Sequence, residues 1–137
     1  MMSTDEYKKY EQACAKIKES NAKLLASFEQ WLLAKGLGKK SIAEHVKNAD
    51  FHINTFLLYE EAIPAKEGAW RISSFLGDWF IRKALWSSRT SIKENAASLK
   101  KFYTFMLEKG EIDADDLQEL KEAIKEEMDE WLETVDG

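Results

Sequence analysis

Apolar side chains recur every three or four residues along most of the chain, and Pro64 is its only proline. This spacing is that of one face of an α-helix, and the lack of further prolines leaves long helices uninterrupted. No segment shows the sustained two-residue alternation of a half-buried strand. The sequence therefore predicts an all-α protein.

Glycines and carboxylates mark where these helices begin and end. Gly36 and Gly110 follow apolar stripes and predict helix C-termini. Asp113 precedes a stripe and predicts an N-terminus, because a carboxylate complements the positive end of the helix dipole. A loop is expected over residues 60–68, around Pro64. The predicted apolar stripes run over about residues 5–34, 42–57, 72–80, 92–106 and 117–132.

Two short stretches of the chain are alike, since Ser41 is followed by Glu44 and Ser91 by Glu94. Each reads as a capping box, in which the hydroxyl accepts from first-turn amides and the glutamate reaches back to the cap. The second and fourth helices are therefore predicted to begin at these serines, each after a loop that carries cations.

The composition is that of an ordered, soluble, single-domain protein, with 137 residues of which 45% are apolar and 33% charged. No secretory signal and no apolar run long enough to cross a bilayer occur, so no membrane partner is expected. Cys14 is the only cysteine and has no partner for an internal disulfide, which favours a cytoplasmic location. The Met start favours a complete chain over a fragment.

The net charge of −5 hides a division of the chain into a basic part and an acidic part. Residues 1–110 carry 18 Lys/Arg and 13 Asp/Glu, whereas residues 111–137 carry two and 12. The overall acidity therefore does not exclude an anionic partner for residues 1–110.

Two ordered sets of residues carry a family resemblance. The first is Phe28, Trp31-Leu32, Gly36-Leu37-Gly38, Ser41-Ile42, His45 and Lys47. The second is Ala96-Ala97-Ser98-Leu99, Lys100-Lys101, Phe102-Tyr103, Phe105-Met106 and Gly110-Glu111-Ile112. Over residues 22–112 the chain resembles the N-terminal core-binding (SAM-like) domain of tyrosine recombinases and phage integrases.

The resemblance implies a four-helix SAM-like bundle over residues 22–112, extended by an N-terminal helix and by an acidic helix over 113–137. Gly38 replaces the family's usual Ser, and His45 replaces its Tyr. The family's catalytic domain does not follow, and no nucleophile–base arrangement or Gly-rich phosphate loop is evident. No catalysis, cofactor or small-molecule substrate is therefore expected.

In the family, the second and fourth helices pack against the DNA backbone, which by position implicates Lys47, Lys100 and Lys101. Charge alone adds four further cations near the two predicted caps. The sequence thus predicts a non-catalytic domain that contacts DNA phosphates, and the alternative for each residue is a cation that keeps a helix soluble. The predicted DNA-binding set is Lys39, Lys40, Lys47, Arg89, Lys93, Lys100 and Lys101.

The acidic helix leaves three interpretations open. In the first, its apolar stripe packs on the body while its carboxylates face water. In the second, the carboxylates compete with DNA phosphates for the basic face. In the third, the helix binds another protein or mimics DNA. The last interpretation gives the alternative function, a regulatory or protein-interaction module such as a recombinase antagonist or a dimerisation unit. The carboxylates concerned are Glu119, Glu122, Glu126 and Glu130.

A few further residues admit more than one interpretation. Asn21 interrupts the apolar stripe of the first helix, which either forms a coiled-coil dimer or, as we prefer, packs on the last helix. His45 and His52 are expected to be surface or rim residues, and no metal site is expected. Trp70, Trp79 and Trp86 could serve as stacking surfaces for nucleic-acid bases. We expect instead that Trp79 lies in the core and that Trp70 and Trp86 lie at the ends of the third helix.

Overall fold

The computed structural model describes residues 3–137, and within that range every regular element is helical. The main helices are α1 (Thr4–Ala34), α2 (Lys39–Asp50), α3 (residues 72–83), α4 (Arg89–Glu108) and α5 (Ala114–Asp136). Helix α2 continues into a π-helical segment, Phe51–Phe56, and a long connection with two short 3-10 turns precedes α3. Helix α3 combines the segments Ile72–Ser74, Phe75–Trp79 and Phe80–Lys83, of which the middle one is π-helical.

Both predicted glycine stops are confirmed by the backbone geometry. Gly36 and Gly110 have φ values of 89° and 84°, a conformation that favours glycine. After α1, the Gly36 amide donates to the Leu33 carbonyl and the Leu37 amide to the Leu32 carbonyl. This is a Schellman ending, and it returns the chain sharply toward α2.

The predicted starts of α2 and α4 are wrong by two to three residues. Helix α2 has Gly38 as its N-cap, without a side-chain hydrogen bond, so Ser41 lies inside its first turn. Helix α4 has Ser88 as its N-cap, and Ser91 is the third helical residue. The Ser88 amide donates to the Ser91 hydroxyl and the Ser91 amide to the Ser88 hydroxyl, so Ser91 takes the place of glutamate in the capping box. The neighbouring cations therefore belong to helical first turns and not to loops.

Helix α1 runs without a break through Asn21, because that buried side chain has partners inside the molecule. Its amide donates to the Ile53 carbonyl at 3.3 Å and to the Asn54 side-chain oxygen at 2.8 Å. Helix α1 lies mainly against α2 and α4, whereas α5 lies against α3 and α4. The prediction that the two terminal helices pack on each other is therefore wrong, because α2 covers the stripe of α1.

Helix α5 is an integral part of the core. It begins after Asp113, as predicted, and Asp113 and Asp116 form a capping box there that was not predicted. Its apolar stripe is buried, and Trp131 packs so closely on Gly77 of α3 that a β-carbon there would lie 2.6 Å from the indole nitrogen. The buried side chains of α5 are Leu117, Leu120, Ile124, Trp131 and Leu132.

Aromatic rings around the π-helical segments of α2 and α3 enclose His52. The imidazole is fully buried, with its ring centroid 4.7 Å from that of Phe75 and 5.6 Å from that of Phe56. The prediction of a surface or rim histidine is wrong for His52, because its imidazole lies inside the core against Phe75 of α3 and Tyr103 of α4. Trp79 lies in this core as predicted, and Trp70 and Trp86 are about half exposed.

Within residues 3–137, no helix is both long enough and apolar enough to cross a membrane. One continuous set of buried apolar side chains extends from Phe28 of α1 to Leu132 of α5.

Candidate nucleic-acid interface

Helices α2 and α4, which carry all seven predicted DNA-binding residues, pack directly and extensively against each other. Small side chains on α4 permit the close approach of α2. Three polar side chains, which belong to Asn48, Ser98 and His45, join the two helices. The Asn48 side-chain amide donates to the Ser98 hydroxyl at 2.9 Å, and the same hydroxyl lies 2.8 Å from Nδ1 of His45. The tertiary structure thus brings the two cationic stretches of the sequence side by side.

The surroundings of His45 at this junction favour its neutral form. Partial burial, followed by the positive charge of Lys101, lowers the pKa of His45, and Glu44 opposes that shift. The Ser98 hydroxyl accepts from the Asn48 amide and shares a hydrogen bond with Nδ1 of His45, whose direction depends on the tautomer of the imidazole. The same charge effect shows that Lys101 of α4 lies close to α2.

A groove of about 260 Å³ separates the exposed edges of α2 and α4. Lys40 lines it from α2, and Ala97 and Ser98 line it from α4. Lys93 and Lys100 are exposed on α4, one turn to either side of Ala97 along the helix surface. A cation of α2 therefore lines the groove, and two cations of α4 lie near it on the helix surface.

Carboxylates lie in the same groove, since Glu44 and Glu94 both line it. Neither forms an ion pair with a lysine in the part of the chain that the structure describes. Of the charged side chains that line the groove, one is the cation Lys40 and two are the carboxylates Glu44 and Glu94. The excess of positive charge comes from Lys93, Lys100 and Lys101, which lie on α4 beyond the lining of the groove.

Lys39 and Lys47 lie on the other side of α2. Both line the groove between α1 and α2, together with Glu29. The seven predicted residues therefore do not form one uniform patch, because α2 directs Lys40 toward α4 and the other two lysines toward α1.

Arg89 is the one predicted cation that has an ion-pair partner among residues 3–137. Its Nη1 atom lies 2.6 Å from Oδ2 of Asp136, near the end of α5. Both side chains are about half exposed, at 51% and 53%. The acidic helix thus neutralises one end of α4 while leaving the lysines farther along that helix without a carboxylate partner.

The N-terminus of α2 adds backbone donors to this surface. Gly38 provides no side-chain cap, and the first turn contains Lys39 and Lys40 and no acidic residue. Cations near the positive end of a helix dipole are unfavourable. An anion bound at this end would offset the charge of the lysines and the partial positive charge of the helix end.

Polar residues on the buried side of α2 and α4 were not predicted to matter for this surface. Asn48, Ser98 and His45 hold the lysine-bearing helices together, and the only sequence signal was their position on otherwise apolar faces. In the described range, no cluster of three or more His, Cys, Asp or Glu side chains is arranged to hold a metal ion.

Comparisons with protein-family models, curated proteins and solved structures give no match to this chain.

Proposed function

We propose that the surface formed by α2 and α4 binds the phosphate backbone of DNA without catalysing a reaction. One observation carries this function. Lys40, Lys93, Lys100 and Lys101 lie on two helices that pack together, and none has a carboxylate at ion-pair distance within residues 3–137. The resemblance of residues 22–112 to recombinase core-binding domains supports the same use of these two helices.

Phosphate contacts of this kind position a protein on DNA without reading its sequence. Lysine heads on the two helices bind phosphate oxygens, and the uncapped amides at the start of α2 add donors for another. The small side chains of Ala97 and Thr104 leave room for the backbone between the lysines of α4. We therefore expect affinity for duplex DNA with little sequence preference.

The salt dependence of binding measures how many phosphates are engaged. Each neutralised phosphate contributes a slope of about −0.9 to log K against log salt, so four to six contacts give about −4 to −5. Fluorescence anisotropy with a labelled duplex of mixed sequence, at several salt concentrations, gives this slope directly. A slope near zero would overturn DNA binding.

Charge reversal on α4 tests the proposed surface against a matched control. The triple variant Lys93→Glu, Lys100→Glu and Lys101→Glu removes three proposed contacts, and we expect the magnitude of the slope to fall by about three. The control reverses three exposed lysines of α1, Lys8, Lys9 and Lys23, and changes the net charge equally. Equal losses of affinity in both proteins would show that net charge alone, and not this surface, governs binding.

A second candidate function uses the exposed face of α5. Glu119, Glu122, Glu126 and Glu130 are exposed or half-exposed, and no cation pairs with them in the described range. A protein partner with a basic surface would fit this face. Charge reversal of these four glutamates distinguishes the two functions. It should abolish binding of a basic protein partner, whereas it should strengthen binding of DNA.

A further inference from the structure

A second groove, of about 570 Å³, lies between α1 and α2, at the end of the helical hairpin that they form. Its walls are mostly apolar: Leu33 lies on α1, and Ile42, Ala43 and Val46 lie on α2. Leu33 is 57% exposed although it is large and apolar. Leu33 and the groove together offer a small apolar surface against which the apolar side chains of a partner can be buried.

The charges of this groove are divided between its two walls. Glu29 lies on the α1 wall, and Lys39 and Lys47 lie on the α2 wall. None of the three forms an ion pair within residues 3–137. Lys39 and Lys47 are eight residues apart, which is about 12 Å along the helix and just over two turns.

We propose that a second copy of this chain occupies the groove, related to the first by a twofold axis that passes through it. A twofold interface must be complementary to itself, because the same patch contributes both sides. An axis that runs along the groove, parallel to α1 and α2, places the Glu29 wall of each protomer against the Lys39 and Lys47 wall of its partner.

The apolar side chains fit the same arrangement. Leu33 projects from α1, and the opposite wall has a small residue, Ala43, between Ile42 and Val46. Each protomer thus offers one projecting side chain and one recess of matching chemistry. Four helices, two from each protomer, then enclose the apolar contact, which is the usual arrangement in helical bundles.

The proposed contact is not a coiled coil formed by the apolar stripe of α1. That stripe is already covered, because Asn21 bonds to the π-helical continuation of α2 and Phe28 is fully buried inside the protomer. The proposed interface uses instead the side of α1 that carries Glu29 and Leu33. It also does not depend on DNA binding, since Lys40, Lys93, Lys100 and Lys101 lie on α2 and α4 outside it.

Sedimentation equilibrium over a wide range of protein concentration tests the proposal. We expect the wild-type protein to associate reversibly to a dimer. Glu29→Lys places like charges across the axis in each homodimer, and so does Lys47→Glu, so each variant alone is expected to be monomeric. An equimolar mixture of the two variants is expected to dimerise. In the mixed dimer the introduced lysine of one protomer faces the introduced glutamate of the other, and the unchanged Lys47 of the first faces the unchanged Glu29 of the second.

The control pair changes the same residue types elsewhere on α1. Glu19 and Lys23 are exposed and lie outside the groove. We expect the Glu19→Lys and Lys23→Glu proteins to dimerise as the wild type does. Circular dichroism melting curves of all variants establish that each is folded. Leu33→Asp, also at an exposed position, is expected to be monomeric both alone and in every mixture.

Three results would each overturn the proposal. The first is a wild-type protein that stays monomeric, which would leave the groove to a different partner. The second is a dimer that survives both Glu29→Lys and Leu33→Asp, because association would then use another surface. The third is a mixture of the Glu29→Lys and Lys47→Glu proteins that stays monomeric.

Discussion

Arg89 in the first turn of α4 forms an ion pair with Asp136 near the end of α5, with Nη1 and Oδ2 2.6 Å apart. The pair links the two oppositely charged parts of the chain at one point. Because both side chains are about half exposed, it contributes little to folding stability. Its larger effect is on the proposed DNA surface, from which it withholds one cation.

We predict that Asp136→Asn strengthens DNA binding, because Arg89 is then free to contact a phosphate. The slope of log K against log salt should become steeper by about 0.9, the value for one additional phosphate contact. Glu130→Gln is the matched control, since Glu130 is an exposed acid of α5 without an ion-pair partner in the described range. If both variants steepen the slope equally, the effect comes from net charge and not from Arg89.

We predict that Gly77→Ala destabilises the fold by about 1–3 kcal/mol, the usual cost of overpacking a core. The added β-carbon would lie 2.6 Å from Nε1 and 2.8 Å from Cδ1 of Trp131. Gly38→Ala is the control, because nothing lies within 4 Å of its β-carbon and its φ is −78°. Its only expected cost is the smaller one of placing alanine at the N-cap of α2, about 0.5–1 kcal/mol. Urea unfolding followed by tryptophan fluorescence measures both. Equal stability of the two variants would mean that Trp131 moves away without cost.

We predict that His52 makes the protein less stable as the pH falls below about 6.5. Complete burial lowers the pKa of His52 to about 3, and the backbone of Gly68 opposes the shift. Between the unfolded and folded pKa values only the unfolded chain takes up the proton. Stability due to this group is therefore fully present above the unfolded pKa and is lost at about 1.4 kcal/mol per pH unit as the pH falls toward the folded value.

Comparison with His52→Phe isolates this contribution, because a phenyl ring has a similar shape and does not titrate. Urea unfolding at several pH values between about 4 and 7 gives the slope for each protein, and the wild-type slope should be the steeper one. His52→Asn serves the same purpose if the phenyl variant folds poorly. Identical slopes in wild type and variant would show that the pKa of His52 is the same in the folded and the unfolded state.

Much of the fold could be predicted because it depends on local interactions. Gly36 and Gly110 stop their helices through the freedom of glycine to adopt positive φ, and Asp113 starts α5 through hydrogen bonds within one turn. The starts of α2 and α4 were missed because several residues near each start can cap a helix. Ser88 and Ser91 both lie close to the start of α4, and the sequence pattern does not say which is the N-cap.

The candidate site could be predicted only in part. The choice of α2 and α4 as the cationic helices came from charge and from the resemblance, and the structure places these helices in contact. The direction of each lysine was beyond prediction, since Lys39 and Lys40 are adjacent in sequence and line different grooves. The burial of His52 was also missed, because a polar side chain adds nothing to an apolar stripe and its neighbours Phe75 and Tyr103 come from other helices.

The amino-acid sequence by itself determined the helical class, the ends at Gly36 and Gly110 and the stripe of α5 that becomes buried. Hydrogen bonds and apolar spacing within a few residues decide these features. Only the tertiary structure decided that Arg89 meets Asp136, that Asn21 bonds to the segment following α2 and that an apolar groove remains open beside Leu33. Such features depend on which helices become neighbours, and that follows from the packing of the whole core and not from any single segment.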